Sequence, residues 1–141
     1  MKRNVLALLA ASLLAGCGLV EDPSPEQARL VIQGDAGKQV RIITSTKFVA
    51  AVTEEGLTRV IIIESDTAFV TLPHDVTISL KDDQRFFAET ARQDDDVGSV
   101  RMEVYVDRRK QFDEGGPLLA GQPYRFVYTF NQAITREILV L

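Results

Sequence analysis

The chain has 141 residues, 45% of them apolar and 26% charged, which is the length of one domain and too apolar for a disordered tail. Sixteen basic against 20 acidic residues give a net charge of −4, which argues against the basic face that nucleic-acid binding needs. A single cysteine and a single histidine exclude a disulfide scaffold and a Cys/His zinc site, and leave any histidine-based triad to His74.

In chain order, Lys2 and Arg3 make a short positive start, and residues 5–15 follow as an apolar run broken only by Ser12. Eleven helical residues rise about 16 Å, roughly half of a hydrocarbon core, which suits an export signal and not a spanning helix. The run meets Leu14-Ala15-Gly16-Cys17, and Glu21 and Asp22 close it. This tetrapeptide resembles the lipobox of bacterial lipoproteins, with small residues directly before the cysteine. The resemblance implies that the Cys17 sulfur takes a diacylglyceryl group. It implies cleavage between Gly16 and Cys17, and in many species acylation of the new amine. One acyl chain holds a protein marginally, whereas two or three on one residue anchor it durably. Residues 1–16 are thus expected to be a signal peptide. Their loss lowers the basic count to 14 against 20 acids, a net charge of −6. So acidic a body is expected to stand off anionic headgroups. Residues 17–27 read as the lipidated cysteine and an extended tether, with Pro23 and Pro25 among three acids and a reach of about 30 Å. Gly18 follows the cysteine. In diderm bacteria of the enteric kind an Asp there resembles an inner-membrane retention signal, so the expected place is the outer membrane, facing the periplasm.

Residues 28–141 read as strands throughout, in period-2 alternation separated by turn residues. Residues 28–33 and 39–46 flank the turn Gly34-Asp35-Ala36-Gly37. Residues 47–53 are the one place for a short helix. Residues 58–64 carry Val60-Ile61-Ile62-Ile63, apolar on both faces as in a central strand, and Ser65-Asp66 is expected as a tight turn into 67–72. Pro73-His74-Asp75 interrupts the chain before a strand at 76–80. A turn at 81–84 precedes a strand at 85–91 and a polar loop at 93–98. Residues 100–107 alternate most clearly, with Val100, Met102, Val104 and Val106 inward and Arg101, Glu103, Tyr105 and Asp107 outward. A long loop is expected over 108–122, then a hairpin of 124–131 and 135–141 across Asn131-Gln132-Ala133-Ile134. Eight or nine such strands fit a single all-β domain, an antiparallel β-sandwich of immunoglobulin-like or similar Greek-key type; a closed barrel is the alternative.

The candidate sites are few. His74 and Asp75, adjacent on an extended chain, point to opposite sides and make no dyad. Asp94, Asp95 and Asp96, with Asp82, Asp83 and Asp107, are the candidate Ca²⁺ ligands, although the spacing of an EF-hand is absent. Tyr124, Phe126, Tyr128 and Phe130 form an aromatic stripe expected in the core, with Arg125, Val127 and Thr129 on a wetter face. Arg108-Arg109-Lys110 reads as a solvated hairpin tip close to Asp113 and Glu114. The expected function is therefore a non-enzymatic binding or structural module without a cofactor. It is attached to the membrane through the lipid on Cys17 and faces another envelope protein or glycan. Two further readings are a calcium-assisted carbohydrate- or peptide-binding domain and a hydrolase using carboxylates such as Asp75, Glu103 or Asp107, since two suitably spaced carboxyls suffice for glycoside hydrolysis.

Overall fold

The computed structural model describes residues 24–93, 98–135 and 137–141. Among them ten strands form: β1 (Gln27–Gly34), β2 (Gln39–Val52), β3 (Thr58–Thr71), β4 (His74–Ser79), β5 (Phe86–Arg92), β6 (Ser99–Val106), β7 (Arg109–Pro117), β8 (Tyr124–Thr129), β9 (Gln132–Ile134) and β10 (Ile138–Val140). The described residues contain no helix. The strands build two curled sheets, β4-β1-β6-β7 and β10-β3-β2-β5-β8-β9, antiparallel except where β10 runs parallel to β3. The fold is the all-β sandwich that the alternation predicts.

Alternating residues explain the main core. Leu30 and Ile32 of β1 and Val100, Met102, Val104 and Val106 of β6 face Val40, Ile42, Phe86, Ala88 and Phe126 of the six-stranded sheet. The Phe126 ring lies 5.7 Å from Phe112 and 6.5 Å from Phe86, centroid to centroid. Each fully buried side chain of this size contributes about 1.5–3 kcal/mol. Such a core can hold the domain without disulfides.

The β2–β3 ribbon departs from expectation in three ways. Residues 47–53 are not helical: 47–52 continue β2, which ends at Val52. Ser65-Asp66 is not a turn, since Asp66 pairs with Thr44 and Glu64 with Lys47 inside one long strand. The ladder slips at two neighbouring places, over residues 45–46 of β2 and at Ile63 of β3. An extra residue reverses the in–out alternation of a strand. Because both strands slip together, the ribbon stays paired while its apolar face switches sides. Val40 and Ile42 enter the main core, whereas Phe48 and Val60 enter a second core with Phe87 and Val127 on the opposite face of the sheet. Ser45 stabilises the irregularity. Its hydroxyl donates to the Glu64 carbonyl at 2.6 Å and accepts from the Lys47 N–H at 3.0 Å, serving two backbone groups that the slipped ladder would otherwise leave unpaired.

The second core also corrects the expected wet face of β8: Val127 and Thr129 are buried. The edge strands β9 and β10 close toward each other there. Arg125 on β8 donates Nη1–H to the Ile138 carbonyl at 3.1 Å, across the gap between the edges.

Two turns differ as well. Residues 108–122 are mostly strand: β7 pairs with β6 across the two-residue turn Asp107-Arg108, both residues at positive φ as a type I′ hairpin requires. The run reads as loop because β7 is an edge strand with Phe112 as its one buried residue. The last hairpin turns at Phe130-Asn131, not at 131–134, and β10 crosses to the far edge of the sheet. Tyr124, Phe126 and Tyr128 pack in or against the main core, but Phe130 is 82% exposed.

Candidate functional site

Cys17, Asp94, Asp95 and Asp96 lie outside the described residues. Among the described residues no three His, Cys, Asp or Glu side chains gather to hold a metal ion. His74 stands in β4 and not in a turn, on the side of Val76 and Ile78, while Asp75 faces the other way. The two are therefore separated, as extended backbone demands.

The carboxylates proposed for hydrolysis are all engaged. Arg29 of β1 grips Asp75 of β4 through two N–H donors, Nε at 2.8 Å, and this holds the Asp75 carboxyl below its usual range. Glu103 is buried on β6. It accepts from Lys110 Nζ at 2.7 Å and Tyr105 OH at 3.0 Å, and the Lys110 bond is the main cause of its lowered pKa. Asp107 Oδ1 accepts the backbone N–H groups of Glu26 and Gln27 at 3.0 and 3.1 Å. Asp113 takes two bonds from Arg101, both 2.7 Å, and one from Lys110 at 2.9 Å, which pushes its pKa far down. A general acid needs the opposite shift. These groups form an ionic ladder across the outer face of the four-stranded sheet. Tyr105 lies at its middle, with the Arg29 guanidinium 5.8 Å and the Lys110 ammonium 5.5 Å from its ring centroid. What the ladder does chemically is tie four strands together.

A second charged group lies beneath the curled end of the six-stranded sheet. Glu89 is only 5% exposed and pairs with Arg125 Nε at 2.8 Å and Arg41 Nη2 at 3.1 Å. Cross-strand register sets the geometry, because Glu89 lies directly opposite Arg125. An unpaired carboxylate at this depth would be costly, so the two arginines are required for its burial.

The feature without a structural explanation is aliphatic. Val49 of β2 pairs directly with Ile61 of β3, Leu139 of β10 lies opposite Arg59, and Ile63 stands at the slip in the ladder. Their alternating neighbours Phe48, Val60, Ile62 and Val140 fill or pack against the second core, so these side chains point outward. Ile61 is 52% exposed, Ile63 70%, Val49 50% and Leu139 42%. Single exposed aliphatics are ordinary, but a contiguous set on one sheet face marks a contact surface. The sequence showed the run 60–63 as apolar on both faces; what it did not show is that one of those faces stays open.

No protein-family model, characterised protein or solved structure matches this chain.

Proposed function

We propose that the chain is a lipid-anchored protein of the bacterial envelope, tethered through diacylglycerol on Cys17, whose β-sandwich serves as a non-enzymatic binding or structural module. The observation that carries this reading is the order Lys2-Arg3, apolar run 5–15 and Leu14-Ala15-Gly16-Cys17. With Gly18 next to the cysteine, the body faces the periplasm from the outer membrane. The described carboxylates support a non-enzymatic role, since Asp75, Glu103 and Asp113 serve as ionised partners of cations. The outward face of Val49, Ile61, Ile63 and Leu139 supports a binding role. Its aliphatic side chains, bordered by Arg59, offer no aromatic platform for a sugar ring and suit apolar side chains of another envelope protein.

Metabolic labelling with palmitate in a bacterial host tests the anchor. Label is expected on the wild-type chain and absent from the Cys17→Ser variant, which then fractionates with soluble periplasmic protein. Label that survives Cys17→Ser refutes the reading.

A further inference from the structure

Phe130 is placed where the chain leaves the sandwich. Gln27, the first residue of β1, pairs with Ser79, the last of β4. Glu26 and Gln27 are pinned to the Asp107 carboxylate, and the Leu80 N–H donates to the Glu26 carbonyl at 2.8 Å. Residues 80–85 lead from there to Phe86, which pairs with Tyr128, two positions before Phe130. Asp83, Gln84 and Arg85 line a shallow depression with Thr129, Phe130 and Asn131. One end of the sandwich therefore carries the exit of the tether, the Asp107-Arg108 turn and the Phe130-Asn131 turn.

Phe130 is anomalous at this end on two counts. Its ring is 82% exposed, and its backbone φ is +51°, in the left-handed region. Asn131, at φ +57°, is a residue that accepts this conformation readily, whereas a bulky aromatic is not. Such turns favour Asn-Gly or Asp-Gly; Arg108 at φ +69° departs from this too, but its side chain is a cation that water solvates, and the Phe130 ring is not. An aromatic ring held in water at a strained position suits a contact outside the chain.

We infer that Phe130 is a membrane-contacting residue whose ring enters the boundary between headgroups and acyl chains of the bilayer that holds Cys17. The inference rests on the lipid anchor proposed above. Eight residues separate Cys17 from Glu26, nine Cα–Cα steps that span at most about 30 Å, so this end is the part of the body nearest the bilayer. The mature chain is acidic, but here Lys81, Arg85 and Arg108 offset all but one of the negative charges of Glu26, Asp82, Asp83 and Asp107. The contact thus meets little electrostatic opposition, and the body stands on its tip instead of lying flat.

The chain contains no tryptophan, so Phe130→Trp creates a single fluorophore at the turn. The full lipidated variant is reconstituted in vesicles of phosphatidylethanolamine and phosphatidylglycerol, with and without brominated acyl chains. Leu119→Trp, exposed in the β7–β8 connection at the opposite end, is the control. The Phe130→Trp protein is expected to emit to the blue and to lose about half its intensity over brominated chains, as an interfacial ring does, while the emission of Leu119→Trp is unchanged. Flotation with the vesicles but equal emission in both lipids overturns the inference and leaves the anchor standing. Failure to float overturns the anchor and the inference together. Equal quenching at both positions means a body lying flat and also overturns it. In the unsubstituted protein, amide exchange at residues 130–131 is expected to slow on vesicles relative to Cys17→Ser in buffer, with residues 119–121 unaffected. Unchanged exchange at 130–131 overturns the inference without any tryptophan variant.

Discussion

Ser45→Ala tests the slip that turns the β2–β3 ribbon from one core to the other. The hydroxyl makes two bonds, to the Glu64 carbonyl at 2.6 Å and from the Lys47 N–H at 3.0 Å, and the residue is 5% exposed. Removing it leaves one acceptor and one donor without these partners. A net hydrogen bond contributes about 1 kcal/mol, and a buried group left unsatisfied costs about 1–3 kcal/mol. Water reduces the larger figure here, because the slip borders an open groove of about 190 Å³ lined by Thr44, Thr46, Lys47, Glu64 and Asp66 among others. Both orphaned backbone groups can then be partly hydrated, so the expected loss is about 2 kcal/mol. Urea unfolding of the non-lipidated Cys17→Ser protein, followed by circular dichroism, measures it. The midpoint should fall with the denaturant slope unchanged, and Ser45→Thr, which keeps the hydroxyl, should recover most of the loss. A loss for Ser45→Ala within about 0.5 kcal/mol, the range of an ordinary surface substitution, would refute the bridging role.

Phe87→Ala should cost about 3–5 kcal/mol by emptying the second core, where Phe87 meets Phe48 edge-on at 6.3 Å; thermal unfolding reads it, and a cost under about 1 kcal/mol would mean that this core is not packed. The ionic ladder should make stability depend on acid pH. Asp75, Glu103 and Asp113 have folded pKa values below their ordinary 3.8–4.5, so the unfolded chain binds more protons, and the contribution is complete above about pH 5 and lost as pH falls toward their folded values. Asp113→Asn should therefore flatten the stability–pH curve between about pH 2 and 5, and a curve parallel to wild type would remove the ladder as its cause. Ile61→Lys lies on the open face, so its Tm should stay within about 2 °C of wild type. A photo-crosslinker at Val49 should nevertheless lose its adduct in cells when Ile61 is changed, and an adduct of equal yield would move the contact elsewhere.

Much of the architecture was legible because alternation is a local property. Residues 28–33, 85–91 and 100–107 predicted β1, β5 and β6 to within a residue or two, since β1 and β6 alternate against the opposing sheet and β5 is apolar on both of its buried faces. A hairpin at Arg108 was legible from its charge, although the turn is Asp107-Arg108 and Arg109 and Lys110 already belong to β7. Misreadings clustered where pairing is non-local. Ser65-Asp66 has turn chemistry, yet Thr44 and Lys47 across the ladder keep it extended. Residues 109–117 are polar, and only hydrogen bonding to β6 makes them a strand. Among the site candidates, Asp75, Glu103 and Asp107 were visible as acids, but their cationic and backbone partners come from distant strands.

By itself the sequence determined the all-β class and the alternating core, and its order of charge, apolar run, small residues and cysteine is what the proposed lipid anchor rests on. These depend on the composition and spacing of neighbouring residues. Only the tertiary structure decided that the six-stranded sheet carries apolar cores on both faces, that Val49 and Ile61 remain open, and that Phe130 shares an end with the start of β1. Those facts depend on strand register and on which edges meet, and a one-residue slip in a ladder is enough to exchange inside for outside.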